Sequence, residues 1–280
     1  MTAKTLRIER GGAVARIWLD RPEVRNALNA TLIGELAAAF AALAGDDGVR
    51  AIVLGGSGKA FCAGADLGAM REAASFTWEQ NHADAARLAE MLWSLYSCPV
   101  PVVARIHGDC YAGGLGIASV CDIRVVAEGV TFSLSEARLG LLPATISPYV
   151  VRAIGEQAAR RYFVTAERFG AAEAKAMGLA HETCAAAVID DVVGRIVDAI
   201  VANGPRATRA CKRLVQDVAG REISAELRAD TARRIADIRA SEEGREGIQS
   251  FLDKRAPKWL AAAPAADAAA SPGGRPDKTP

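Results

Sequence analysis

The sequence predicts an α/β fold with parallel strands, on three observations. Over residues 1–190, short apolar segments typical of strands alternate with segments in which apolar residues recur at helical spacing. Beyond about residue 187 the strand pattern stops, and only amphipathic helical patterns follow. Glycine-rich segments lie between strands and helices, as expected of turns at the edge of a sheet. Alternation of this kind is typical of a parallel sheet covered by helices.

The first predicted elements are a hairpin, a helix and a strand. Residues 6–9 alternate apolar and polar side chains, Gly11 and Gly12 predict a turn, and residues 14–19 predict the returning strand. The helix that follows has one apolar face made by Leu32, Leu36, Phe40 and Leu43. Residues 51–54 then predict a buried strand that leads into a glycine-rich turn.

The later elements divide the chain into three regions. A second helix over residues 84–97 and further strands, one ending at Ile106 and one over residues 123–127, complete an α/β core over residues 1–190. Residues 191–260 predict a helical region, in which Pro205 opens one helix. The stretch 261–280 is rich in alanine, proline and glycine without periodicity, and we expect it to be disordered.

Composition excludes several classes of protein. The chain carries 34 Lys+Arg against 33 Asp+Glu, and this balance argues against a nucleic-acid or anionic-membrane binder. No apolar run approaches the roughly 20 residues that cross a bilayer, and the first residues lack a signal-peptide core. Six scattered cysteines and three histidines show no metal-ligand spacing, so we expect reduced thiols, a cytoplasmic protein and no metal.

Two glycine-containing segments are the first candidates for chemistry. Residues 59–67 directly follow a predicted strand, and residues 108–116 lie between a strand and a predicted helix. Small residues let backbone N–H groups approach a ligand closely, and the first N–H groups of a helix have no intrahelical partner. Such groups can hold an anion or a developing oxyanion. Alone, however, each segment is more typical of a tight strand-to-helix turn.

Together with their surroundings, the segments resemble the enoyl-CoA hydratase/isomerase (crotonase) superfamily. The similarity includes Leu-Asp-Arg-Pro-Glu-Val-Arg-Asn-Ala-Leu at residues 19–28 and Ala-Phe-Cys-Ala-Gly-Ala-Asp-Leu at residues 60–67. It continues, in order along the chain, at residues 100–108, 112–116, 121–123, 132–143, 174–179 and 251–259. The resemblance implies a spiral of ββα units, a C-terminal helical trimerisation region, and a site for an acyl-CoA thioester.

The resemblance also assigns roles to individual residues. The backbone N–H groups of Ala65 and Gly113 would form an oxyanion hole, and Glu136 would be the acid–base residue. Further CoA contacts are implied for the first segment and for basic or aromatic residues elsewhere: Asp66, Leu67, Gly68, Arg25, Phe251 and Lys254. No cofactor is implied, because coenzyme A is part of the substrate. The implied assembly is a homotrimer or a hexamer made of two trimers.

The chain departs from the usual pattern of hydratases at one position. Those enzymes carry two glutamates that hold one water, and the second would fall at Gly116, which has no ionisable group. Hydration must therefore rely on Glu136. Residues 132–151 and 160–169 are most similar to bacterial methylglutaconyl-CoA hydratases, lyases of leucine and acyclic-terpene breakdown that also have glycine there. We therefore expect hydration of a branched, carboxylated enoyl-CoA such as 3-methylglutaconyl-CoA.

Other functions remain open at this point. Monofunctional Δ3,Δ2-enoyl-CoA isomerases also keep a single glutamate, because one base suffices to move a proton between C2 and C4. A non-catalytic acyl-CoA-binding or RNA-binding homologue is a third possibility, which the retained Glu136 and the balanced charge disfavour. If the substrate has a distal carboxylate, the candidates to hold it are Arg71, Tyr149, Asn81 and His82.

Overall fold

The computed structural model describes residues 3–261 and contains two sheets. The larger sheet has six strands in the order β1-β2-β3-β5-β7-β10. Their bounds are β1 Leu6–Gly11, β2 Val14–Leu19, β3 Ala51–Gly56, β5 Val102–Ile106, β7 Ile123–Ala127 and β10 Glu182–Cys184. Strand β1 is antiparallel to β2 across the predicted turn, where Gly12 has φ 57°, and every other pairing in this sheet is parallel. The predicted hairpin is confirmed.

The smaller sheet has four strands in the order β4-β6-β8-β9. These are β4 Ala60–Cys62, β6 Asp109–Tyr111, β8 Thr131–Ser133 and β9 Arg168–Gly170. The first three are parallel to one another and β9 is antiparallel to β8. Three-residue strands are too short to show an alternating pattern, so the sequence analysis did not predict this sheet.

Eleven helices accompany the strands among residues 3–261. Their bounds are α1 Ala30–Ala44, α2 Leu67–Ala73, α3 Trp78–Ser97, α4 Gly113–Val120, α5 Ser147–Thr165, α6 Ala171–Ala176, α7 Ile189–Ala202, α8 Pro205–Val218, α9 Ala225–Ala240, α10 Glu242–Leu252 and α11 Lys258–Ala261. Helix α3 begins before the predicted start at Asp84, because Thr77 and Gln80 form a reciprocal capping box at its N-terminus.

The chain builds the two sheets in repeated units of two strands and a helix. Strands β3, β5 and β7 enter the larger sheet, and the strand after each of them, β4, β6 and β8, enters the smaller one before the chain continues into α2, α4 and α5. This is the predicted spiral of ββα units, and it confirms the α/β fold class. The core between the layers is largely aliphatic, with Phe40, Phe61 and Phe132 among its largest fully buried side chains.

The C-terminal helices differ in how they meet the core. Helix α7 packs on β3, β5 and β7, so the boundary expected at residue 191 falls inside a helix that covers the larger sheet. Helix α8 reaches the core through long polar side chains: Lys212 donates to Asp122 and to the carbonyl of Val100, and Gln216 donates to the carbonyl of Tyr96. The expected tail falls, from residue 262 onward, outside the described residues.

Candidate active site

Three candidate groups follow three neighbouring strands of the smaller sheet. Ala65 lies in the loop after β4, Gly113 begins α4 two residues after the end of β6, and Glu136 follows β8. Because β4, β6 and β8 are parallel neighbours, their carboxyl ends and the loops that leave them meet at one edge of the sheet. Ligand sites of α/β proteins commonly lie at such an edge. The topology therefore brings the predicted oxyanion donors and the predicted acid–base residue to the same place.

The loop that carries Ala65 is fixed by a short parallel bridge. The N–H of Leu28 donates to the carbonyl of Gly64 at 2.7 Å, and the N–H of Asp66 donates to the carbonyl of Leu28 at 2.9 Å. Ala65 lies between Gly64 and Asp66, and in a parallel bridge the residue in this position directs its own N–H away from the partner strand, here away from Leu28. No described residue accepts a hydrogen bond from the N–H of Ala65. This donor is therefore available to a ligand.

The second loop packs directly against the first. Ala112 has φ 47°, an uncommon value for a residue with a side chain, and its N–H donates to the carbonyl of Ser133 at 2.9 Å. A Cβ added to Gly64 would lie 2.9 Å from the Cβ of Ala112, so only glycine permits this approach. Gly113 then opens α4, where the first N–H groups lack intrahelical partners. The two predicted donors thus lie on loops in mutual contact.

Glu136 lies at the start of a 3-10 turn just beyond β8 and is half-buried. Its Oε2 atom is fully buried and has no hydrogen-bond partner among residues 3–261. Burial disfavours the charged form and raises the pKa of this carboxyl above its usual value of 4.5. A raised pKa moves a carboxyl group toward the range in which it can both accept and return a proton.

The position expected to carry a second glutamate is filled by a neighbouring side chain. Gly116 is buried in α4, and a Cβ added to it would lie 2.8 Å from the Cβ of Ile146 and closer still to the Cγ2 of that residue. Leu92 borders the same space. A glutamate at this position would therefore require Ile146 to move. Residue 116 can supply neither a carboxylate nor room for one.

Asp66 is engaged by the protein itself. Its Oδ1 accepts from the N–H of Gly68 and so caps α2, and its Oδ2 accepts from Nη2 of Arg21 at 2.8 Å. The hydrogen bond from Arg21 holds the pKa of this carboxyl below its usual range. Leu67 and Gly68 are exposed on the first turn of α2. Of this segment, Leu67 therefore presents the side chain available to a ligand.

The remaining predicted CoA contacts are exposed. The guanidinium of Arg25 and the ammonium of Lys254 have no hydrogen-bond or ion-pair partner within residues 3–261. Phe251, on α10, is 82% exposed. These three side chains are accessible. The carbonyl of Arg25 accepts from the N–H of Ala63 at 3.0 Å, which ties the backbone of Arg25 to the loop that carries Ala65.

Of the four candidates for a substrate carboxylate, three are committed elsewhere. The ring of Tyr149 packs on Tyr96 with centroids 5.3 Å apart, in a cavity under α8. The amide of Asn81 donates to carbonyls of its own helix end, and His82 stacks on Trp78 at 5.1 Å. Arg71 is exposed on α2, the helix that begins directly after the Ala65 loop, and has no partner in the described part of the chain.

The cysteines around the site are buried. Burial raises the pKa of Cys62 and of Cys121 to about 12, and Cys110 is likewise fully buried with a raised pKa. They lie as thiols in the core, as the sequence suggested. Within residues 3–261 no three His, Cys, Asp or Glu side chains are grouped so as to hold a metal ion, and no helix is long and apolar enough to cross a membrane.

Comparisons with known proteins agree with this architecture. The family model described as enoyl-CoA hydratase/isomerase matches residues 9–262. A Rhodobacter capsulatus protein named a probable enoyl-CoA hydratase is 36% identical over 265 residues, which cover 92% of this chain and 99% of that protein. The chain belongs to the enoyl-CoA hydratase/isomerase family, whose members act on acyl-CoA substrates.

Solved structures show the same fold along almost the whole chain. An enoyl-CoA hydratase from Shewanella pealeana has a TM-score of 0.89 and 37% identity, covering 92% of this chain and 96% of that chain. Pseudomonas aeruginosa AtuE has a TM-score of 0.88 and 36% identity, covering 91% of this chain and 99% of that chain.

Proposed function

We propose that the protein is a hydratase that adds water across the α,β double bond of an enoyl-CoA. The observation that carries the proposal is the half-buried carboxyl of Glu136, one oxygen of which is buried with no hydrogen-bond partner among residues 3–261, at the edge where the loops of Ala65 and Gly113 meet. We assign the N–H groups of Ala65 and Gly113 to the thioester oxygen and Glu136 to the water.

Glu136 and the N–H groups of Ala65 and Gly113 account for every proton and electron pair that moves during hydration. The carboxylate of Glu136 takes a proton from water as the water oxygen bonds to C3, and the electrons of the C2=C3 bond move onto the thioester oxygen. The two N–H groups stabilise this enolate, and each donor of this kind contributes about 3–4 kcal/mol. The protonated Glu136 then gives its proton to C2. A raised pKa suits a group that must both take and return a proton.

The first test is turnover of 3-methylglutaconyl-CoA, followed by the loss of its conjugated absorbance. We expect Glu136→Gln to lower kcat by about 100-fold or more, because the amide cannot accept the proton of the water. Glu128→Gln is the matched control, since Glu128 is an exposed glutamate just after β7. Full activity in Glu136→Gln would refute the assignment of Glu136.

Isomerisation is the second candidate function. Ile146 fills the space beside Gly116 in which a second glutamate would lie, and this favours a reaction that needs only one carboxyl group. A single base can remove a proton from C2 and return it to C4 without binding water. A 3-enoyl-CoA supplied to the enzyme distinguishes the two reactions. An isomerase converts it to a conjugated product of unchanged mass, whereas a hydratase acts on the conjugated compound and adds the mass of one water.

We propose a branched enoyl-CoA with a distal carboxylate, such as 3-methylglutaconyl-CoA, as the substrate, and Arg71 as the residue that binds this carboxylate. The support is the exposed, unpartnered guanidinium on the helix next to the Ala65 loop. Arg71→Met should raise KM for 3-methylglutaconyl-CoA about tenfold, which corresponds to roughly 1.4 kcal/mol of lost binding energy. KM for crotonyl-CoA, which has no distal carboxylate, should stay unchanged.

The control for this substitution is Arg87→Met, which removes an exposed arginine of α3. An equal rise of KM for both substrates in Arg71→Met would contradict the carboxylate assignment and leave Arg71 as a contact to CoA. We further propose that Arg25, Phe251 and Lys254 contact the CoA portion, since all three side chains are exposed.

A further inference from the structure

One guanidinium connects both strands of the bridge that carries the Ala65 donor. Arg21 Nη1 donates to the carbonyl of Ala27 at 2.5 Å, and Arg21 Nη2 donates to Oδ2 of Asp66 at 2.8 Å. Ala27 immediately precedes Leu28, and Asp66 immediately follows Ala65. The ion pair therefore spans the two segments whose hydrogen bonds direct the N–H of Ala65.

Arg21 is itself held by a buried amide. The backbone N–H of Arg21 donates to Oδ1 of Asn26, and the amide of Asn26 donates to the carbonyls of Ser57 and Ala60, each bond being 2.9 Å long. Asn26 is fully buried, and Arg25 and Asn26 have φ of 54° and 57°. Two consecutive residues in this conformation are unfavourable without glycine, so the contacts of Asn26 must hold the turn.

The ion pair is shielded and its donors and acceptors are occupied. The side chains of Arg21 and Asp66 are each 15% exposed. Both oxygens of Asp66 accept hydrogen bonds from the protein, and both terminal nitrogens of Arg21 donate to it. A shielded, hydrogen-bonded pair keeps its geometry far better than an exposed one. Neither side chain offers its engaged groups to a substrate.

We propose that Arg21 and Asp66 are positioning residues that aim the Ala65 N–H at the thioester oxygen. This inference depends on the oxyanion role proposed above for Ala65. Loss of the pair leaves the Leu28 bridge intact but frees both of its segments to shift. Oxyanion stabilisation depends steeply on donor position, and a displacement of about 1 Å can cost about 100-fold in rate.

The test separates positioning from folding by a spectroscopic signature. Cinnamoyl-CoA absorbs at longer wavelength when hydrogen bonds draw electron density toward its carbonyl oxygen, and a Glu136→Gln background prevents its turnover. We expect Arg21→Met and Asp66→Asn in that background to lose at least half of the red shift, while the Kd of the probe changes less than threefold. In the otherwise native protein, kcat should fall about 10- to 100-fold with KM within threefold.

Two further variants keep the interpretation specific. Arg21→Lys retains the charge but replaces the two terminal nitrogens that contact Ala27 and Asp66 with a single ammonium nitrogen, so we expect an intermediate red shift and kcat. Arg105→Met removes another arginine–aspartate pair, that of Arg105 with Asp190, whose arginine is also 15% exposed. Because it lies in the larger sheet, Arg105→Met should lower the melting temperature and leave the red shift unchanged.

The outcomes distinguish this inference from the function on which it depends. A full red shift in Arg21→Met and Asp66→Asn, or an equal loss in Arg105→Met, would overturn the positioning role while the oxyanion hole stands. Absence of any red shift in the Glu136→Gln parent that binds the probe would overturn the oxyanion role of Ala65, and the positioning role with it.

Discussion

The carboxyl of Glu136 is costly to the folded state at neutral pH. One of its oxygens is buried without a hydrogen-bond partner in the described part of the chain, and burial raises its pKa above the value of 4.5 that it has in an unfolded chain. At a pH between these two pKa values the folded protein binds more protons at this site than the unfolded one. The free energy of unfolding therefore falls as the pH rises through the raised pKa.

Glu136→Gln should consequently stabilise the protein near neutral pH. Glutamine has the same shape but no charge to bury, so we expect a melting temperature higher by on the order of 2 °C at pH 7.5. The gain should vanish below pH 4.5, where the carboxyl of the original protein is protonated in both states. Melting curves of the two proteins from pH 4 to 8 measure this, and a gain independent of pH would show that ionisation is not its cause.

Helix α4 shows how one element serves both the site and the core. Its first residue, Gly113, supplies a predicted donor, and Gly114 and Gly116 lie against β4 and Ile146 with no room for a Cβ. Close packing on two sides fixes the helix, and with it the direction of its first N–H groups. The small residues of this helix are therefore required by packing, besides the ligand contact that we propose for Gly113.

Gly116→Ala should destabilise the protein by about 1–3 kcal/mol, because the new methyl group would overlap with Ile146. Adding Ile146→Ala should recover part of that loss by removing the overlapping Cγ2. Denaturant unfolding of the two single variants and the double variant gives their coupling energy. Additive effects would mean that Ile146 does not limit the space at this position.

At the scale of the whole molecule, the C-terminal helices leave apolar side chains exposed. Val215 on α8, Ile235 on α9, and Ile248, Phe251 and Leu252 on α10 are all at least 48% exposed. Exposed apolar groups concentrated on one region are typical of an interface between proteins. They support the assembly that the family resemblance implies, in which these helices join copies of the chain into a homotrimer or into a hexamer of two trimers.

Ile235→Glu should weaken that assembly, because Ile235 lines the groove between α8 and α9 and burying a charge there carries a desolvation cost. We expect light scattering at micromolar concentration to show trimers for the native chain and mainly monomers for the variant. Ile8→Glu is the matched control, since Ile8 is 43% exposed on the edge strand β1. Monomers in the native chain would refute the proposed assembly.

The sequence predicts well what depends on local pattern. The α/β class, the hairpin, the strands of the larger sheet up to β7 and the helix opened by Pro205 follow from periodicity and turn residues, and the structure confirms them. The smaller sheet was missed because its strands are three residues long. Yet it is this sheet that brings the candidate donors and Glu136 together.

The other features of the site that the sequence did not predict are contacts between residues far apart in the chain. Arg21 and Asp66 are 45 positions apart, and Asn26 and Ala60 are 34 apart, so no local pattern reveals that they meet. The sequence analysis placed Asp66 in the CoA lining, whereas the structure shows its carboxylate turned toward Arg21 and Gly68. The filling of the Gly116 position by Ile146 is equally a product of tertiary packing.

The placement of the candidate groups after three separate strands has a consequence for how such a site can diversify. The loops of Ala65 and Gly113 hold each other in place, whereas Glu136 follows β8, which pairs with β6 and accepts the N–H of Ala112 at the carbonyl of Ser133. The 3-10 turn at residues 136–139 has no buried residue, so this short segment can be exchanged without rebuilding the other two loops, whereas Ile146 further along packs on α4 and must be kept. Chimaeras in which the segment after β8 comes from a relative offer a direct way to introduce a different proton-transfer residue while the rest of the fold stays unchanged.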